Sequence, residues 1–185
     1  MVTGCLPNRG KCVVQVSAKI VAVLAAGPAL SSILAMVLRA DPRLRVREFA
    51  SLDALALYMR LSPVDLLVCD FDAGAAPADA VARALRGDSR LCQRDFQIVA
   101  LARQVNAETR RAAVAAGIDE VIVKPMSPRY LLERVLARLR PRVTPFVVSP
   151  AYCGPDRRGR LAPRDLAFHP TQRRSDNVVQ LFPDR

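Results

Sequence analysis

The chain has 185 residues, room for one ordinary domain with flanking segments, and 51% of them are apolar, which is enough to form a buried core. Its 28 basic residues outnumber 17 acidic ones and give a formal net charge of +11, while 5% aromatic residues and no Trp argue against stacking on bases or sugars as the main binding mode. A single histidine leaves little material for a histidine-based metal centre or a Ser-His triad.

The elements, in chain order, begin after residues 1–17, which show no sustained pattern and are predicted to be a flexible N-terminal arm. From residue 18, short apolar runs alternate with segments of helical periodicity. The predicted strands cover 20–24, 44–49 (near a sheet edge), 64–70, 97–101 and 121–123. The predicted helices cover 28–39, 52–60, 77–86, 107–116 and 128–140.

Local signals support these boundaries. Pro28 suits the first turn of a helix, Ser51 can cap the next one, and Gly117 can end the fourth. Five strands separated by helices imply a parallel sheet with helices on both faces, a doubly wound α/β domain over residues 18–140. In such a domain the ligand site lies at the carboxyl ends of the strands. The chemistry is therefore expected at Asp70, Ala102 and Lys124 and at residues 24–26.

A membrane span or signal peptide is the alternative for residues 20–38. This stretch has no charged residue and follows Arg9, Lys11 and Lys19. Gly27 and Pro28 interrupt it, and no linker separates it from the next periodic segment. A buried strand that turns into an amphipathic helix explains the same residues, and this is the interpretation we favour.

Three segments resemble the receiver domains of two-component response regulators. They are VDLLVCD ending at Asp70, IVALA in the fourth predicted strand, and AAGIDEVIVKPMSP around Lys124-Pro125. The resemblance covers residues 19–140 and implies a flavodoxin-like, CheY-like sheet with strand order 2-1-3-4-5. It also implies a site in which an aspartate accepts a phosphoryl group beside Mg²⁺, an acidic pair, a hydroxyl residue and a lysine.

Carried over by position, the resemblance makes Asp70 the phosphoacceptor and Lys124 the residue that pairs with the phosphate. The other supporting positions are degenerate: Leu24, Ala25 and Ala26 stand where the acidic pair is expected, Ala102 where the hydroxyl is expected, and Val121 where a switch aromatic is expected. Asp72 is the remaining candidate for a second Mg²⁺ carboxylate beside Asp70. The resemblance is thus to a degenerate receiver, or pseudo-receiver, in which Asp70 and Lys124 form a semi-buried ion pair.

Residues 141–185 form a Pro- and Arg-rich tail with seven prolines and eight arginines against four aspartates. We predict that it is extended or disordered, because few apolar residues are available to order it. Its start, PFVVSPAYCGPDRRGR, resembles the C-terminal extension of alphaproteobacterial stand-alone receivers. A set of arginines could bind phosphates of a cyclic dinucleotide or RNA: Arg157, Arg158, Arg160, Arg164, Arg173 and Arg174.

Two further interpretations of the tail stay open. Arg160 and Arg164 have the arginine spacing of PilZ-type cyclic-di-GMP binders, although the accompanying Asn/Asp-x-Ser-x-x-Gly motif is missing. Alternatively Phe146, Tyr152 and Leu181-Phe182 pack against the domain or against another protein.

The sequence therefore predicts an atypical response regulator, not an enzyme, that acts as a protein-interaction module without a DNA-binding output domain. Its expected partners are a histidine kinase, a flagellar motor or another regulator, with a homodimer through the last strand and helix as an option and no membrane. A basic face on the last helix is expected from Arg129, Arg134, Arg138, Arg140 and Arg142.

The alternatives are a functional receiver that is phosphorylated at Asp70 by a histidine kinase with Mg²⁺, and a cyclic-di-GMP or other phosphate-ligand sensor that uses the tail. No cofactor is expected otherwise, and nucleic acid is not a favoured partner. Five scattered cysteines without a CxxC pair indicate neither a disulfide framework nor a zinc site, and they fit a reducing cytoplasm.

Overall fold

A computed structural model describes residues 18–25, 27–72, 77–140, 145–149, 152–157 and 178–179. The prediction of an N-terminal arm over residues 1–17 lies outside these ranges. The strands are β1 (Lys19–Leu24), β2 (Leu44–Phe49), β3 (Leu66–Asp70), β4 (Gln97–Ala102), β5 (Glu120–Val123), β6 (Phe146–Val148), β7 (Cys153–Pro155) and β8 (Val178–Val179). The helices are α1 (Pro28–Arg39), α2 (Leu52–Leu61), α3 (Ala78–Gly87), α4 (Ala107–Ala115) and α5 (Pro128–Arg138).

The first five strands form a parallel sheet in the order β2-β1-β3-β4-β5. Because a helix follows each strand and the order reverses at β1, the chain winds to both sides of the sheet. The predicted doubly wound, flavodoxin-like fold is confirmed, and β2 lies at an edge as expected. A further strand that was not predicted, β8, extends the sheet antiparallel to β5.

Side-chain caps begin three of the helices, and the cap at Ser51 is one that the sequence predicts. The hydroxyls of Ser51 and Ser127 accept hydrogen bonds from backbone N–H groups three residues later, and the Asn106 side chain does the same for α4. Each cap satisfies a donor that the first turn leaves unpaired. Pro28 and Pro128 occupy the first turns of α1 and α5, where no N–H is needed.

Two apolar layers cover the sheet. The side chains of α2, α3 and α4 pack on one face around Leu55, Leu85 and Phe96. Those of α1 and α5 pack on the other face around Leu38, Val68 and Leu131. Burial on both faces explains why β1, β3 and β4 appear in the sequence as apolar runs without polar alternation.

The uncharged stretch 20–38 is divided between β1 and α1, as the favoured interpretation predicts. Leu34, Ala35 and Leu38 bury one stripe of α1 against the sheet. In the ranges that the structure describes, every helix is too short or too polar to cross a bilayer.

Part of the tail, which the sequence predicts to be extended or disordered, forms short strands. β6 and β7 form an antiparallel hairpin, and β8 joins the main sheet. Phe146 packs against Arg86 of the domain, as the alternative predicts, whereas the Tyr152 hydroxyl donates to Pro155 within the hairpin and Leu181-Phe182 lie outside the described residues. The sequence does not predict these strands, because two or three residues are too few to show the alternation of apolar and polar residues that indicates a strand.

The hairpin docks on the turn between α4 and β5 through two glycines. Gly117 has φ +75°, and a Cβ atom there would lie 2.4 Å from the carbonyl oxygen of Cys153. A Cβ atom on Gly154 would lie 2.9 Å from the Cα atom of Gly117 and 2.6 Å from the Tyr152 hydroxyl oxygen. The two backbones therefore approach as closely as they do only because neither residue carries a side chain.

Gly117→Ala is expected to lower the free energy of unfolding by about 2 kcal/mol, because a left-handed backbone conformation and a backbone clash both oppose the methyl group. Urea denaturation measures this change. Gly87→Ala is the control, since nothing lies within 4 Å of a Cβ atom at that position, and it should change stability by less than about 0.5 kcal/mol. Equal effects of the two substitutions would contradict the docking.

Candidate functional site

The candidate site lies at the carboxyl ends of β3, β4 and β5, where parallel strands bring their last residues together. Asp70 ends β3 and is paired in register with Leu101, and Lys124 follows β5 directly. By alternation along each strand, Asp70 shares a sheet face with Val68, and Lys124 shares that same face with Ile122. The fold therefore unites two residues that are 54 positions apart in the chain.

The Lys124 ammonium bridges two carboxylates. Its Nζ atom lies 2.7 Å from Asp70 Oδ1 and 3.1 Å from Asp72 Oδ2. The backbone N–H of Asp72 also donates to Asp70 Oδ1 at 3.1 Å, and the N–H of Arg103 donates to Asp72 Oδ2 at 2.7 Å. Two carboxylates thus share one ammonium and two amide donors, which offset their mutual repulsion.

Burial strengthens this arrangement. The Asp70 side chain is only 6% exposed and that of Lys124 18%, whereas the Asp72 side chain is 30% exposed. Burial, and secondarily the adjacent Asp70 carboxylate, raises the pKa of the Cys69 thiol to about 12, so that this thiol stays protonated. Cys69, whose side chain lies on the other face of the sheet, therefore supplies no thiolate nucleophile to this site.

The other positions at which the resemblance implies acidic, hydroxyl or aromatic side chains carry aliphatic side chains without polar atoms. Leu24 and Ala25 end the first strand as buried apolar residues, and Ala102 and Val121 are completely buried. Ala26 lies outside the described residues. In the described ranges the structure therefore places no hydroxyl at the end of β4, no acid after β1, and no aromatic ring in β5.

The described residues offer two carboxylates toward a Mg²⁺ ion at this position, Asp70 and Asp72, and both also contact Lys124. Mg²⁺ needs octahedral oxygen coordination, usually from one or two carboxylates and several waters. Here Asp70 and Asp72 each direct an oxygen at Lys124, whose ammonium lies between them, as a dication would. Within the described ranges, no group of three or more acidic, His or Cys side chains is arranged to hold a metal.

A second charged cluster, at the opposite end of β5, includes two of the five arginines that the sequence places on a basic face of α5, of which Arg142 lies outside the described residues. Arg134 and Arg138 donate to the two oxygens of Glu120 at 2.5 Å each, and the Glu120 side chain is 2% exposed. The hydrogen bond that Arg134 donates to the Glu120 carboxylate is the main cause of the raised pKa of Arg134. These two guanidinium groups therefore neutralise a buried carboxylate of the domain itself. The sequence signal for this pairing is the acid Glu120 at the start of β5 together with the i, i+4 spacing of Arg134 and Arg138 on α5.

One of the six tail arginines proposed to bind phosphates lies in the described part of the chain. Arg157 donates from Nη2 to the carbonyl oxygen of Ile118 at 2.6 Å, and so it fastens the end of the hairpin two residues before the start of β5. The other five lie outside the described residues, namely Arg158, Arg160, Arg164, Arg173 and Arg174. The grouping of these arginines into an anion site stays a prediction.

Comparison with known proteins supports the fold independently. No family model matches the sequence, and no curated protein matches it significantly. Solved structures do match. The chemotaxis response regulator CheY4 of Vibrio cholerae is 18% identical, with a TM-score of 0.57 over 65% of this chain and 98% of that one. A response regulator from Thermotoga maritima is 21% identical, with a TM-score of 0.57 over 66% and 98% of the two chains.

A CheY-like receiver domain protein from Methanospirillum hungatei gives a similar result. It is 17% identical, with a TM-score of 0.58 over 66% of this chain and 94% of that one. These likenesses lie in the fold, since the identities are low. Each matched protein aligns over almost its whole length, whereas about one third of this chain lies outside the alignment.

Proposed function

We propose, on the premise of this receiver fold, that the protein is an atypical response regulator of two-component signalling. In this proposal the domain is a protein-interaction module, and its function does not depend on Mg²⁺-dependent phosphorylation of Asp70. The observation that carries the proposal is the Lys124 ammonium lying between Asp70 and Asp72. Because a fixed cation already pairs with both acids and offsets part of their repulsion, neither a dication nor a phosphoryl group is needed to hold the strand ends together.

The lack of coupling residues supports the same conclusion. A phosphoryl group on Asp70 would find no side-chain hydroxyl at Ala102, and a change there could not move an aromatic ring at Val121. Phosphoryl transfer depends almost entirely on positioning and on charge neutralisation, and one ammonium supplies only part of this. The domain is therefore proposed to act in one conformation rather than as a two-state switch.

Exposed apolar side chains support an interaction role. Ile33 and Met36 on α1 are 53% and 67% exposed, and Leu57 and Leu61 on α2 are 58% and 78% exposed. Their spacings place each pair on one side of its helix. A histidine kinase, a motor component or another regulator is the proposed class of partner.

Incubation with acetyl phosphate tests the proposal. The intact mass of the full-length protein should stay unchanged with and without Mg²⁺, under conditions that label an ordinary receiver in the same tube. The Asp70→Asn variant is the matched control for labelling elsewhere in the chain. A Mg²⁺-dependent gain of one phosphoryl group that Asp70→Asn abolishes would overturn the proposal and favour a functional phospho-receiver.

A further inference from the structure

In the part of the chain that the structure describes, residues beyond the hairpin pair with the main sheet at the outer edge of β5. Val179 pairs with Val121 and Val178 with Ile122, in antiparallel orientation. In the sequence, residues 158–177 separate this strand from the docked hairpin. The contact consists of two residue pairs, and it is therefore short compared with the six-residue pairing of β1 with β2.

The backbone of β5 needs a partner at this edge. The N–H of Lys124 donates to Ala102 of β4, and alternation along the strand turns Ile122 to the same side. The N–H and C=O groups of Val121 and Val123 consequently point away from β4, toward β8. A buried strand that leaves such groups unpaired is a template for another extended chain.

The two edges of the sheet differ in how they are protected. At β2 the side chains of Arg45, Arg47 and Glu48 are exposed, and charged side chains discourage the addition of another strand. In β5 the residues Val121, Ile122 and Val123 are apolar, and the carboxylate of Glu120 is buried against two arginines. The β5 edge therefore lacks the charged protection that β2 has, and the chain covers it with its own segment instead.

We propose that the outer edge of β5 is a strand-accepting surface, at which an extended segment of another protein binds antiparallel in place of residues 178–179. The occupant that it fits has consecutive β-branched residues, like the Val178-Val179 segment that it replaces. The protein's own segment thereby regulates access to the surface by competing for it. The inference deepens the proposed function, because it names a surface for the interaction module, and it does not depend on phosphorylation of Asp70.

The test uses full-length variants and a fluorescent peptide of residues 174–182. Val178→Pro/Val179→Pro removes the two backbone donors of β8 and uncovers the edge. The peptide should bind this variant on the order of tenfold more tightly than the wild-type chain, because the wild-type segment competes at a high effective concentration. Val178→Thr/Val179→Thr is the matched control, since it keeps both donors and β-branching, and it should bind the peptide as weakly as wild type does.

Hydrogen exchange supplies a second readout on the same samples. The amide of Val121 should exchange faster in the proline variant than in wild type and become protected again when the peptide is added. Equal peptide binding by the proline variant and wild type, or no binding to either, would overturn the inference. A dimer that forms at high concentration in wild type and not in the proline variant would support it and identify a second copy of the chain as an occupant. Because acetyl phosphate takes no part, failure here leaves the proposed function standing.

Discussion

Replacing Arg86 with methionine is expected to lower the free energy of unfolding by about 3–5 kcal/mol, since removal of one partner leaves the other charge buried. The Arg86 side chain is 3% exposed, and its Nη2 atom lies 3.4 Å from the Asp119 carboxylate, which is 5% exposed. The guanidinium also stacks between two rings, 4.4 Å from the centroid of Phe96 and 4.8 Å from that of Phe146. Phe146 belongs to the hairpin, so the loss should also loosen its docking.

Urea unfolding of Arg86→Met measures the effect, with Arg83→Met as the control on the same helix. Arg83 is 54% exposed and pairs with Asp79 one turn away, an arrangement whose loss costs about 0.5 kcal/mol or less. Arg86→Lys should recover little of the loss, because an ammonium cannot stack as a plane between two rings. A cost for Arg86→Met no larger than that for Arg83→Met would show that the buried cluster is not what stabilises the hairpin.

Replacing Lys124 with methionine is expected to cost about 3 kcal/mol, the lower end of the range for breaking a buried pair, because Asp72 is partly solvated. Asp70 would keep the backbone N–H of Asp72 as a donor but lose its cation. Methionine fills a similar volume, so the change reports charge rather than packing. Thermal or urea unfolding at neutral pH is the measurement.

Two variants separate this explanation from a general loss of packing. Lys19→Met is the control, since Lys19 also holds a carboxylate at 2.8 Å but is 45% exposed, and it should cost less than about 1 kcal/mol. Adding Asp70→Asn to Lys124→Met should restore part of the stability, because the uncompensated carboxylate is then gone. A double variant that is less stable than Lys124→Met alone would contradict the role of Lys124 as the cation of the site.

Different contacts hold the two ends of β5. At its carboxyl end, Lys124 contacts the carboxylates of Asp70 and Asp72. At its amino end, Gly117, Arg86 and Arg157 attach the C-terminal hairpin to the domain. β5 is thus held at both ends and along its outer edge by residues of this chain.

Periodicity determined the domain from the sequence alone. Every predicted strand and helix between residues 20 and 140 is present, with ends that agree within a few residues, because apolar runs, caps and prolines act locally. The apolar strands of a sheet buried on both faces leave few alternatives to a doubly wound topology. The placement of Asp70 and Lys124 at strand ends followed from that topology, and so did their proximity.

Tertiary structure decided what those charges do. In the structure the Lys124 ammonium bridges the two carboxylates, 2.7 Å from Asp70 Oδ1 and 3.1 Å from Asp72 Oδ2. The spacing of these residues in the sequence does not determine these distances. The sequence equally presents Arg134 and Arg138 as a solvated face, whereas packing turns them onto Glu120. The hairpin escaped prediction because contacts distant in sequence, at Gly117 and Arg86, stabilise strands too short to have a pattern of their own. Local periodicity determines which elements form, and only long-range packing determines which charges and edges remain available for binding.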